Sequence, residues 1–165
     1  MSGTTDEVDR IIEAWRRERP DLDVEPLAVL SRITRLAKHL DQARARAFDG
    51  HGLEQWEFDV LSALRRAGEP YELSPGALVT QTLVTSGTMT NRIDRLAARG
   101  LVERRPAPAD RRGVLVTLTA GGRARVDAAL ADLLDVERDL LAALPAAERG
   151  TLATLLRRLV APFDA

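Results

Sequence analysis

A mainly α-helical fold carrying one small β-hairpin follows from three observations. Apolar residues recur at helical spacing through most of the chain. Proline and glycine interrupt those stretches at Pro20, Pro26, Gly52, Gly68, Pro70, Gly100 and Pro145. Only the segment 101–120 alternates apolar and polar residues with a period of two, around the turn-rich PAPADRRG. The 165 residues, 45% hydrophobic and 30% charged, suffice for one cored domain with helical arms.

Each element has its own local reason. Residues 6–18 place Val8, Ile11, Ile12 and Trp15 on one helical face, and Pro20 ends the helix. A helix this short needs something to pack on. Pro26 suits a first turn, and Leu27, Leu30, Ile33, Leu36, Ala37, Leu40 and Ala43 form the next stripe. After a turn at His51-Gly52, residues 53–68 form a helix with Phe58, Leu61 and Leu64 inward. Ser74 is a natural N-cap before Pro75, opening a short helix. Thr85 or Ser86 caps a second helix running to Arg99, with Met89, Ile93, Leu96 and Ala97 inside. Gly100 stands where a helix end favours positive φ. Strands over 101–105 and 114–120 enclose the turn, and Thr119 caps the following helix. Residues 121–144 and 146–163 are helical, with Val126, Leu130, Leu133, Leu134, Leu140, Leu141 and Leu144, then Leu152, Leu155, Leu156, Leu159 and Val160, on apolar faces. The division is 1–52, N-terminal helices; 53–120, helices with the hairpin; and 121–165, C-terminal helices.

Composition narrows the function. There is no cysteine, which excludes disulfides, thiol catalysis and cysteine-ligated metals. With two histidines twelve positions apart, His39 and His51, no metal or other cofactor is expected. No nucleophile, base and acid stand together with any specificity, so an enzyme is not expected. The apolar runs are too short for a bilayer and the polar, acidic N-terminus lacks a signal-like core, so a cytoplasmic location is expected. Net charge is −1, yet charge is unevenly placed. Residues 86–113 hold seven arginines (92, 95, 99, 104, 105, 111 and 112) against Asp94, Glu103 and Asp110, a net of +4; residues 1–26 carry a net of −4. A partner feels that local field rather than the total.

Two short helices, a tight link and a glycine-ended second helix form a helix-turn-helix, and the hairpin behind them is a wing. The outward face of the second helix carries Ser86, Thr88, Thr90, Asn91 and Arg95. Short donors, an amide and an arginine suit a major groove, where Arg reads guanine and Asn reads adenine. Arg111 and Arg112 at the hairpin tip suit a minor groove or its phosphates. Asp110 is expected to pair with Arg112 and hold the tip in shape. The bland alternatives are an alanine-rich helix pair that binds nothing and a merely solvated basic hairpin; the rival function is a protein-interaction module whose helix pair packs a partner instead of DNA.

The runs LSPGALV, TSGTMTNRIDRLAARGLVERR and ADRRGVLVTLTAGG resemble the winged helix-turn-helix of the MarR family, the multiple antibiotic resistance regulators. The match spans about Leu53 to Gly122. The resemblance implies a homodimer on a palindromic double-stranded DNA operator, with 1–52 serving dimerisation and ligand contact, 53–120 as the winged helix-turn-helix DNA-binding domain and 121–165 as C-terminal dimerisation helices. It implies a transcriptional regulator, usually a repressor, released by a small ligand. The extra helix around Trp15 is similar to that of the urate-responsive PecS-like and HucR-like subgroup. That likeness implies a small anionic effector such as urate, held by Trp15, Asp59, Arg92 and Arg104. Trp15 would stack on the flat anion, the arginines would neutralise it, and Asp59 would accept a ring N–H. The plainer alternatives are that Trp15 anchors its helix, Asp59 serves local backbone, Arg92 meets a phosphate and Arg104 is solvated. Phenolic or antibiotic-like ligands on the same fold are the other effector class.

Overall fold

The computed structural model describes residues 5–107 and 110–163, and of 110–112 the backbone. It is mainly helical with one small sheet, as the spacing predicts. Its elements run α1 (Glu7–Glu18), α2 (Leu27–Asp49), α3 (Gln55–Arg66), β1 (Glu72–Leu73), α4 (Pro75–Thr82), α5 (Ser86–Ala98), β2 (Val102–Ala107), β3 (Asp110–Leu118), α6 (Ala120–Leu140) and α7 (Ala146–Val160), then a 3₁₀ turn, Ala161–Phe163. The chain forms two compact units, Met1–Ala43 and Arg44–Ala165, which part within α2.

In the first unit the acidic N-terminus does structural work. Asp6 caps α1, accepting the N–H of Val8 at 2.8 Å and of Asp9 at 3.0 Å, while Asp9 accepts the Asp6 N–H at 2.9 Å. Arg32 of α2 reaches both carboxylates, at 2.8 Å and 2.7 Å. Its hydrogen bond is the largest influence holding the Asp6 carboxyl below its ordinary value. Asp9 is lowered chiefly by the Asp6 N–H and then by Arg32. Val8, Ile12 and Val24 are buried together, with Leu27 and Ala28 against them. Leu30, Ile33 and Leu36 of the α2 stripe, with Val29 beside them, stay between 36% and 56% exposed, so this part of α2 is not covered by the described residues of the unit.

The second unit is built on α3, α4, α5 and a three-stranded sheet ordered β1-β3-β2. Phe58, Val60, Leu61 and Leu64 of α3, Leu78 of α4, and Met89, Ile93 and Leu96 of α5 share one core with Val102, Val116, Leu118, Val126, Ala129 and Leu133. Phe48 and Phe58 stack with ring centres 4.2 Å apart. Gly100 takes φ +68° after α5, where only glycine is unstrained. Gly122 has a different reason: an added Cβ would lie 2.1 Å from the Leu101 carbonyl oxygen. That close approach, with Thr119 accepting the Gly122 N–H at 2.9 Å, seats α6 on the root of the wing.

The sheet differs from the sequence expectation in two places. Glu72 and Leu73 form a third strand paired with Thr117 and Val116; two residues carry no periodic signal of their own. The β2–β3 ladder also runs past Arg105 to Ala107, which pairs with Asp110. Pro106 does not stop it, because β2 is an edge strand with a register shift at Pro106 and Ala107. Arg111 and Arg112 therefore belong to the start of β3 rather than to a turn.

None of the residues of α7 is buried, and Leu155, Leu156, Leu159 and Val160 are 36–50% exposed. Leu130, Leu134, Leu140 and Leu141 of the α6 region are 39–45% exposed. No helix among the described residues is long and apolar enough to cross a membrane.

Candidate nucleic-acid interface

The helix pair is set by its caps. The Ser74 hydroxyl accepts the Ala77 N–H at 3.2 Å, with Pro75 behind it. Leu83 closes α4 in the left-handed region, φ +53°, which turns the chain sharply into α5. Thr85 then caps α5, its hydroxyl accepting the Thr88 N–H at 3.3 Å. The first turn of α5 carries no acidic side chain, so its exposed N–H groups and dipole favour an anion.

The predicted reading face is the face that solvent sees. Ser86, Thr88, Thr90, Asn91 and Arg95 are exposed, while Met89, Ile93 and Leu96 are fully buried; Ser86 lies above the buried stripe and is exposed because it opens the helix. The Thr90 hydroxyl donates to the Ser86 carbonyl at 3.1 Å, and the hydroxyls of Thr85 and Thr88 are 2.9 Å apart. These bonds engage the hydroxyls of all three threonines within the helix start.

Arg95 is exposed but already engaged. Its Nη2 donates to Glu54 Oε1 at 2.8 Å, and its guanidinium lies 4.6 Å from the centre of the Trp56 ring. Arg92 lies 5.4 Å from the same ring. Arg99 binds the buried carboxylate of Glu57 and donates to the Gly52 carbonyl at 2.6 Å. Glu57 also accepts the N–H of Glu54 at 2.9 Å. Thus three of the seven arginines turn to the first turn of α3. On the wing, Arg104 pairs with Asp94 at 2.6 Å and Arg105 with Glu103 at 3.2 Å. The side chains of Asp110, Arg111 and Arg112 lie outside the described residues, and with them the expected Asp110–Arg112 pair.

The residues expected to hold a ligand fall as follows. In the first unit, Trp15 is 49% exposed and lines a cleft of about 400 Å³ with Leu22, Asp23, Val24, Pro26 and Leu27. In the second, Asp59 is raised above its ordinary carboxyl value, chiefly by desolvation, while Arg92, Arg44 and Arg66 pull it down. Arg92 is thus within electrostatic reach of Asp59, whereas Arg104 is taken by Asp94. Asp59 borders a cleft of about 140 Å³ that also touches Arg44, Phe48, Phe58, Ser62 and Arg66. Arg44 pairs with Glu137 at 3.1 Å, and its Nε is buried with no partner among the described residues. Among the described residues no cluster of three or more His, Asp or Glu could hold a metal.

Arg44, Glu54, Trp56, Glu57 and Arg66 escaped the sequence reading. Glu57 alone left a signal: it shares the i, i+4, i+7 stripe of Leu61 and Leu64, so its carboxylate had to face inward.

A capped helix pair, a sheet behind it and an exposed face of short donors define a winged helix-turn-helix DNA-binding transcriptional regulator. The profile of the MarR family matches residues 51–113. The HTH-type transcriptional regulator PecS of Dickeya dadantii is 39% identical over 152 residues, 92% of each chain. The HTH-type transcriptional repressor NicR of Pseudomonas putida is 32% identical over 143 residues, 84% of this chain and 89% of its own. Among solved structures, a mutant MarR from Escherichia coli complexed with operator DNA superposes with a TM-score of 0.70 at 30% identity, covering 84% of this chain and 99% of that one. The chain belongs to the MarR family.

Proposed function

We propose that the protein is a homodimeric repressor that binds a palindromic operator and is released by a small anionic effector. The observation that carries the DNA reading is the face of α5: Ser86, Thr88, Thr90, Asn91 and Arg95 all stand in solvent around an acid-free helix start. Asn91 and Arg95 are the base readers, and Arg111 and Arg112 of the wing serve the adjacent minor groove. The exposed leucines of α7 support a second copy, which doubles the footprint and sets half-sites about one helical turn, roughly 34–36 Å, apart.

The effector we propose is urate. Support comes from the near full-length likeness to PecS and from the state of the residues. Trp15 keeps an accessible ring, Asp59 makes no ion pair among the described residues, and Arg92 neighbours Asp59 electrostatically. For Arg104 to join Asp59 and Arg92, urate has to draw it from Asp94. A second effector class has an observation of its own. The cleft beside Asp59 is walled by Phe48, Phe58 and Leu133 with Arg44 and Arg66 at hand, a lining that suits a phenolic acid.

The test is binding to a duplex from immediately upstream of the protein's own gene, at two salt concentrations, with urate and then salicylate titrated in. Operator binding that weakens steeply with salt is expected, since phosphate contacts release counterions. Absence of binding at low salt would leave the helix pair as a protein-docking module. Release by salicylate alone would replace urate with the phenolic class. Arg95→Ala is expected to relax specificity at one base step, by about 1–3 kcal/mol for a bidentate contact.

A further inference from the structure

Arg92, Arg95 and Arg99 recur at i, i+3 and i+7 along α5, so they share one face. That face meets Glu54, Trp56 and Glu57 at the start of α3. Within this contact Glu54 has both oxygens occupied. The Trp56 indole N–H donates to Oε2 at 2.7 Å, and Arg95 donates to Oε1 at 2.8 Å. The Trp56 ring lies beneath the same guanidinium. The Trp56 hydrogen bond first, and Arg95 after it, hold the Glu54 carboxyl below its ordinary range, so it is a full anion at neutral pH. Both side chains of the Arg95–Glu54 pair remain more than half exposed. An incoming duplex can therefore reach it.

A carboxylate offers an arginine what a DNA phosphate offers: a flat or forked anion that accepts from N–H groups. We propose that Glu54, oriented by Trp56, is an internal stand-in for DNA and a specificity-determining residue, occupying Arg95 until a better acceptor displaces it. A single phosphate oxygen replaces one charge-assisted bond by another and gives little net gain. A guanine edge takes two donors at once through O6 and N7. Non-operator DNA thus leaves Arg95 on Glu54, while operator DNA recruits it. Trp56 holds the arginine's plane in both states. The inference rests on the reading of α5 as a DNA-recognition helix.

The experiment compares the full-length wild type with Glu54→Gln, Trp56→Phe and Arg95→Ala. Each is titrated with the upstream duplex and with an unrelated duplex of equal length, across a salt series, with melting temperatures followed in parallel. Glu54→Gln is expected to tighten non-operator binding by about tenfold at low salt and to steepen its salt slope by about one phosphate per subunit. Operator affinity should move much less, so the ratio of the two falls. Trp56→Phe keeps a ring under the arginine but removes the donor to Glu54, and the ratio should fall partway. Adding Glu54→Gln to Arg95→Ala should change nothing further. An unchanged ratio in Glu54→Gln, an equal weakening on both duplexes, or the same effect in the Arg95→Ala background would overturn the proposal. If the wild type binds neither duplex, the DNA reading itself fails; if it binds and the ratio stays constant, only this inference does.

Discussion

Removing Arg99 tests whether the start of α3 truly clamps the recognition helix. Glu57 is 1% exposed, and its carboxylate has two donors: Arg99 and the N–H of Glu54. Arg99 also closes onto the Gly52 carbonyl at 2.6 Å. Arg99→Ala therefore deletes two charge-assisted bonds and strands a buried carboxylate. Each such bond contributes about 1.5–3 kcal/mol at full burial, and breaking a buried ion pair costs about 3–5 kcal/mol. Arg99 itself is 36% exposed, so water enters once it is gone, and we expect a loss of about 2–3 kcal/mol. For a chain of this size that is a drop of about 4–12 °C in melting temperature. Glu57→Gln, which keeps the shape and leaves no buried charge, should cost about 1–2 kcal/mol. The double variant should be less damaged than the sum of the two, because the stranded charge is then absent. Urea unfolding followed by circular dichroism, at one fixed protein concentration to hold any dimer linkage constant, measures all three. Strict additivity, or a loss below about 0.5 kcal/mol for Arg99→Ala, would mean that the pair is a surface contact and not a clamp.

Three other outcomes follow from the geometry. Gly122→Ala should destabilise by about 3 kcal/mol or more, since its methyl would enter the Leu101 carbonyl and force α6 off the wing; a melting curve reads this. Asp59→Asn should be more stable than wild type at pH 7. The folded-state value of Asp59 is raised above the ordinary 3.8, so its contribution is intact below that pH and is lost as pH rises through the raised value. The gain should vanish in acid, and a gain that persists at pH 3 would refute the desolvation account. Placing glutamates at Leu155 and Leu159, half-exposed neighbours one turn apart on α7, should convert the dimer to monomer by sedimentation while each subunit keeps its helical content.

The legible parts of this fold are those with local causes. Ser74-Pro75, Thr85, Gly100 and Thr119 mark helix ends through bonds made within a few residues, and each stands where the sequence places it. The outward positions Thr88, Asn91 and Arg95 of α5 follow from helical period; the exposure of Ser86, on the stripe of Met89 and Ile93, does not. Strand β1 was not legible, because Glu72 and Leu73 become a strand only by pairing with Thr117 and Val116, some 45 positions on. Nor was the partner of Arg95: Glu54 is 41 positions away, and neither residue type signals the other at that distance. Sequence periodicity shows which way a side chain leaves its helix. It does not show what another helix sets in its path.

That distinction alters the meaning of the basic cluster. Counted along the chain, seven arginines make a footprint of net +4. In the fold, Arg95, Arg99, Arg104 and Arg105 each sit within ion-pair distance of a carboxylate. Two of those carboxylates, Asp94 and Glu103, lie inside the counted segment, but Glu54 and Glu57 come from α3 and do not. On the exchange proposed for Arg95, a non-specific phosphate lattice would meet arginines of α5 and the wing that already have carboxylate partners, and its attraction would be weaker. Specific DNA must offer geometry as well as charge. On this account the slight overall acidity is no obstacle to a DNA-binding role: carboxylates placed against the recognition arginines raise the standard an acceptor has to meet, and selectivity is set by the exchange of one partner for another.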